Sequence, residues 1–135
     1  MPEDAVAPLR SIPSPHSVHD TADRAEAAIR QRAITIFARV DHGAGAREAG
    51  LDLPDEELLV FGDPRAGTLL MQIDPMFGYE LPLRLLVWDA AGQTMVGYRE
   101  PAAMAAAYAI PADAPVLERM RELLDALLAE GAAVA

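Results

Sequence analysis

The chain has 135 residues, just over half of them apolar, a net charge of −10 and no cysteine. That length gives one domain, residues 1–135, with apolar content enough for a core held by neither metal nor disulfide. The acidic balance argues against a broad nucleic-acid surface, and the missing thiol excludes disulfide frameworks, zinc–thiolate sites, iron–sulfur clusters and cysteine nucleophiles. Acids and prolines stand where a signal peptide needs a basic start and an apolar run, and no stretch reaches the roughly 18 apolar residues of a membrane span. A cytoplasmic protein with no membrane partner is the expectation.

Residues 1–15 hold four prolines and no clean period, which fits either an edge strand near Val6 to Ile12 or an arm. Ser17 then offers an N-cap, with Asp20 three residues on. Val18, Ala22, Ala25 and Ile29 draw the stripe of an amphipathic helix running to Arg32. Acids crowd its first half and arginines its end, as the helix dipole favours. The clearest strand follows, Ile34 to Arg39, ending at Asp41-His42-Gly43, with one irregular helical turn on the way to Gly50.

Glu57 to Phe61 is a continuous apolar run, the pattern of an interior strand covered on both faces. Asp63 can cap the next helix with Pro64 at its first position, and Asp74-Pro75 ends it near Ile73. Met76 to Pro82 reads as an aromatic loop. Leu83–Trp88 and Thr94–Tyr98 form a hairpin across Asp89 to Gly92. A short helix spans Ala102 to Tyr108. Residues 113–131 are the strongest helix, its apolar stripe two residues wide and stopped by Gly131. The order predicts an α+β fold, helices on one face of a mainly antiparallel sheet.

Three patterns carry candidate chemistry. Gly62-x-x-x-x-Gly67-Thr68 has the spacing of a phosphate loop, but the chain contains no lysine, and Pro64 removes a backbone donor. A helix N-terminus with Asp63, Arg65 and Thr68 nearby still suits some anion. Asp41 and His42, at a strand end, offer either a ligand site or turn-stabilising bonds; as neighbours on an extended chain they face opposite ways and make a poor catalytic dyad. His16 and His19 have the spacing of two metal ligands, which alone make a weak site. Around the hairpin, Met71, Met76, Phe77, Tyr79, Trp88, Met95 and Tyr98 suit either an apolar ligand pocket or an ordinary core or dimer face. All three serines are N-terminal, which argues against a serine hydrolase.

Three blocks, ITIFARVDHGAGAREAGLDLP, LLVFGDPRAGTLLMQIDP and YELPLRLLVWDAAG, resemble the domain of unknown function 302 family of bacterial and archaeal proteins. The resemblance covers roughly Ser17 to Tyr108, and a family-like core of residues 16–110. It implies helices on a curved antiparallel sheet, similar to TATA-binding-protein-like domains, often as a dimer, and it supplies no established activity. Residues matching its pattern are Phe37, Ala38, Arg39, Asp41, His42, Ala44, Gly45, Gly62, Pro64, Gly67, Thr68, Met71, Gln72, Leu81, Pro82 and Trp88. The chain departs from it at Asp63, at Leu69 and at Tyr98-Arg99-Glu100-Pro101, where the family tends to carry asparagine, proline and Y-N-D-P.

No complete catalytic set is present, and no metal or cofactor is expected. The leading expectation is a non-enzymatic binding or interaction protein acting as a homodimer, with a small apolar or anionic ligand. Its candidate contacts are Arg39, Asp41, His42, Asp63, Arg65, Thr68, Met71 and Tyr98. The alternative is an enzyme or metal- or anion-binding protein using Asp41 and His42 with Arg65 and Thr68.

Overall fold

A computed structural model describes residues 9–134. Five strands form one antiparallel sheet in the order β1-β5-β4-β3-β2: β1 is Arg10–Ser14, β2 Thr35–Asp41, β3 Glu56–Gly62, β4 Leu83–Ala90 and β5 Gln93–Tyr98. The helices are α1 Val18–Gln31, α2 His42–Glu48, α3 Pro64–Ile73, α4 Pro101–Ala105 and α5 Pro115–Gly131, with a 3-10 helix at Pro75–Glu80. The α+β arrangement with helices on one face is therefore the observed one.

Alternation along the strands fixes which face is covered. Leu59 and Phe61 of β3, Leu83, Leu85 and Val87 of β4, and Val96 and Tyr98 of β5 point inward and are buried. Against them lie Ala22, Ala25 and Ile29 of α1 and Met120, Leu124, Leu127 and Leu128 of α5. Ser17 caps α1 by accepting the Asp20 amide at 3.0 Å. A buried hydroxyl pair, Ser14 with Thr21 at 2.7 Å, fastens β1 to the same helix.

Four local expectations change. The edge strand begins at Arg10, and the part expected from Val6 to Pro8 lies outside the described residues. β3 is fully buried on one face only: Leu58 and Val60, between its buried residues, are half-buried. An apolar run reports how greasy both sides of a strand are, not what lies over each. The turn after β2 is a regular helix, because Asp41 caps it by accepting the Ala44 amide at 2.8 Å. The aromatic loop is the 3-10 helix, started by Asp74 (which accepts the Met76 amide at 3.0 Å) and followed by a cis Leu81-Pro82 bond.

Edge strand β1 depends on a glycine. Gly97 pairs with Ser11, and a methyl group there would sit 2.8 Å from the Arg10 carbonyl oxygen and 2.9 Å from Ser11 Cβ. Backbone cannot rotate aside as a long side chain does. Gly97→Ala is expected to cost about 2 kcal/mol by forcing β1 off the sheet. Urea denaturation checks this, and an unchanged midpoint would show that the edge absorbs the methyl.

Candidate functional site

The main cavity opens where β3 runs into α3. Its volume is about 430 Å³ and its walls are almost wholly apolar. Four pieces of chain build it. Ile34 and Phe37 come from the start of β2, and Phe61 and Gly62 from the end of β3. Pro64, Ala66, Gly67 and Met71 line it from α3, with Leu81, Pro82 and Leu83 beside them. Val116, Arg119, Met120 and Leu123 form the wall from α5.

Local sequence explains each wall. The β2–β3 register shifts between Ile36 and Ala38, so Phe37 is the unpaired residue of a bulge. A bulge re-aims its side chain, and this one turns Phe37 to the cavity mouth, 58% exposed. Gly62 leaves room beside it: a Cβ there would lie 3.5 Å from Pro82 and 3.7 Å from Phe37. Gly67 does the same for Leu81, whose Cδ1 would be 3.1 Å from an added Cβ. On α5, positions 116, 119, 120 and 123 recur at i, i+3, i+4 and i+7, one face of a helix.

Of the eight candidate contacts, two line this cavity, Asp63 and Met71. Asp63 is already engaged. It accepts the Arg65 amide at 3.0 Å and both guanidinium arms of Arg65, at 3.1 and 3.0 Å, which hold its carboxyl below the usual range. Arg65 itself is 87% exposed and turned back onto that carboxylate. The Ala66 and Gly67 amides donate to the Asp63 carbonyl, and Thr68 faces solvent outside the cavity. The anion cradle expected at this helix start is thus filled by its own capping bonds.

Asp41 and His42 lie elsewhere. Asp41 pairs with Glu57 and Thr35 with Gly62, so the two ends of β2 stand about 17 Å apart, the length of the five steps from Glu57 to Gly62 along β3. His42 opens α2 as an exposed residue. The combination of Asp41 and His42 with Arg65 and Thr68 is therefore not assembled, because an antiparallel return sends β3 away from the α2 end. Among the described residues no cluster of three or more histidines and carboxylates is arranged to hold a metal ion.

Arg39 and Tyr98 hold the fold. Arg39 projects inward from β2 and donates to Glu57 at 2.7 Å, Asp23 at 2.7 Å and Glu26 at 3.0 Å. Burial opposes its charge, but these three carboxylates outweigh burial and raise its pKa. His19 lies 3.2 Å from the same Glu57. Tyr98 is buried with its hydroxyl donating to Asp125, which Arg10 and Arg121 also engage. Burial, then that hydrogen bond, pushes the phenol up. Neither residue reaches the main cavity, though Tyr98 lines a smaller one of about 190 Å³.

Absent from the expected set are Phe37, Leu81, Pro82 and the α5 wall. A signal for them exists in the blocks quoted above: Phe37, Gly62, Pro64, Gly67, Met71, Leu81 and Pro82 all match the family pattern, come from three separate blocks, and meet here. The double width of the α5 stripe is the second signal, since one half packs the core and the other faces the cavity.

Comparison with known proteins identifies the family. The profile of the domain of unknown function DUF302 matches residues 10–128. A crystal structure of an uncharacterized conserved DUF302 protein from Bacillus stearothermophilus superposes with a TM-score of 0.82 at 20% identity, covering 93% of this chain and 98% of that one. The fluoride-specific ion channel FluC 1 of Brucella suis is 45% identical over 98 residues, 72% of this chain and 39% of the channel. FluC 1 of Brucella abortus gives the same identity over the same share of this chain and 36% of its own. The chain spans well under half the length of these curated relatives, and no described helix is long and apolar enough to cross a membrane. The chain belongs to the DUF302 family.

Proposed function

We propose that this DUF302 member is a non-enzymatic, cytoplasmic binding protein that holds a small apolar molecule between α3, α5 and the sheet. The observation that carries the reading is the meeting of three separated sequence blocks on one apolar cavity of about 430 Å³, within the range of ligand pockets. Fluoride, named for the channel relatives, does not suit this cavity. A small, strongly hydrated anion needs several aligned donors to replace its water, and the lining offers one unengaged guanidinium. Titration with the neutral fluorophore 1-aminoanthracene tests the reading. Saturable binding at one probe per chain supports it, and a linear, non-saturating response removes it.

The working unit in this reading is a homodimer, formed through the uncovered face of the sheet. Val40, Leu58, Val60, Leu86, Trp88 and Met95 point outward there, and none is fully buried. The charges on that face are self-complementary. Outward Val60 pairs with Arg84, Leu58 with Leu86, and Glu56 with Trp88. A two-fold axis lying across the strands at the Leu58–Leu86 level would set Arg84 over Trp88 of the second copy, with Glu56 one strand away. Cation–π contact and charge pairing then favour the same register. Sedimentation equilibrium is expected to give a dimer at micromolar concentration and a folded monomer for Leu86→Asp. A wild-type monomer up to hundreds of micromolar would end the dimer reading.

A further inference from the structure

Resting on the proposed pocket, we propose that its ligand is an apolar carboxylic acid, and that Arg119 is the residue that selects the carboxylate. Arg119 occupies a place in the pocket-facing stripe of α5, between Val116 and Met120, where the pattern otherwise demands an apolar side chain. Its neighbours on other faces of the helix are paired: Arg121 bridges Glu118 at 2.7 Å and Asp125 at 3.1 Å. Arg119 makes no hydrogen bond or ion pair with any described residue.

The other charged group on the lining, Asp63, is neutralised by the two arms of Arg65. What remains over the cavity is one guanidinium, in a chain of net charge −10. Long-range charge would draw cations to such a protein, so an unengaged arginine within the otherwise apolar α5 wall is a local selection for an anion. A guanidinium meets a carboxylate in a fork of two parallel hydrogen bonds, and the ligand's hydrocarbon then lies along Phe37, Leu123 and Met71. A neutral alcohol of the same length can fill the cavity but leaves Arg119 without its partner. An amine would meet it with like charge.

Competition against bound 1-aminoanthracene, with decanoate, decan-1-ol and decylamine as the competitors, separates this inference from the pocket itself. Decanoate is expected to compete about tenfold better than decanol, the gain of one charge-assisted contact at a partly exposed site, and decylamine worst. Arg119→Met keeps the length and apolar stem of the side chain; it should bring decanoate to the level of decanol while leaving decanol unchanged. Lengthening the acid from octanoate to decanoate should tighten binding about fourfold per methylene in wild type and variant alike. If decanoate and decanol compete equally, or Arg119→Met leaves their ratio untouched, the carboxylate assignment is wrong although the pocket stands. If the probe does not bind at all, both fall together.

Discussion

Arg39→Ala is expected to lower the unfolding free energy by about 3 kcal/mol, the cost of stranding a nearly buried carboxylate. The stranded group is Glu57, whose side chain is 6% exposed and whose charge is met by Arg39 and by the exposed His19. Arg39 also ties the edge strand β2 to α1 through Asp23 and Glu26. Removing it opens one side of the core as well as leaving a charge unpaired, so the melting midpoint should fall by on the order of 10 °C. The pair Arg39→Met with Glu57→Leu should recover most of the loss, since it removes the stranded charge along with its partner. A single variant as stable as wild type would show that Glu57 finds enough water or His19 to do without the guanidinium.

The same network sets the response to acid. Hydrogen bonds from Arg39, then Arg30, hold Glu26 below its ordinary value of 4.5. Asp125 is pushed up by burial but held lower still, below its ordinary 3.8, by Tyr98 and Arg10. A carboxylate whose folded pKa is depressed adds stability above its unfolded pKa and loses it as pH falls through the folded one. The midpoint temperature should therefore fall steadily below about pH 4.5. Arg39→Ala should show a shallower fall, because the larger share of the Glu26 contribution goes with the arginine while Arg30 keeps the rest.

Ala66→Trp is expected to weaken binding of 1-aminoanthracene by a factor of about 100 or more, equivalent to roughly 3 kcal/mol. Ala66 is half-buried on α3 and faces the cavity, so an indole grown from it occupies the space the probe would use. The indole brings one N–H donor, into a cavity that is open to solvent on one side. Stability should stay within about 1 kcal/mol of wild type, since indole surface is buried as well. Thr68→Trp, two residues on and facing solvent, is the control for adding an indole to the same helix. Equal binding by the Ala66 variant and wild type would place the probe somewhere other than this cavity.

Much of the architecture could be read from periodicity and caps. The Ser17 and Asp63 caps, the α1 stripe and the α5 stripe each rest on local chemistry that acts within a few residues, and such signals survive folding unchanged. The hairpin was equally local: Ala91 and Gly92 both take positive φ, at 54° and 94°, in the two-residue turn that joins β4 to β5. The coverage of β3 was not legible, because whether a helix lies over Leu58 and Val60 depends on where the other elements go. The cavity was not legible for a similar reason. Asp41, His42, Arg65 and Thr68 are reactive-looking side chains, yet Asp41 serves α2 and Arg65 serves Asp63, while His42 and Thr68 remain at the surface. The cavity is made instead by Phe37, Gly62, Gly67 and Pro82, residues whose contribution is shape. Shape arises from a bulge, two missing side chains and a proline brought together over long sequence separations, and no short window contains it.

Methyl-resolved NMR of the wild-type chain, titrated with 1-aminoanthracene, asks most directly whether this cavity is where the molecule works. Saturable shifts at the methyl groups of Met71, Leu81, Met120 and Leu123, with those of Leu58, Val60 and Leu86 on the opposite face of the sheet unmoved, are the expected result. Shifts confined to the opposite face, or none at either, would contradict it.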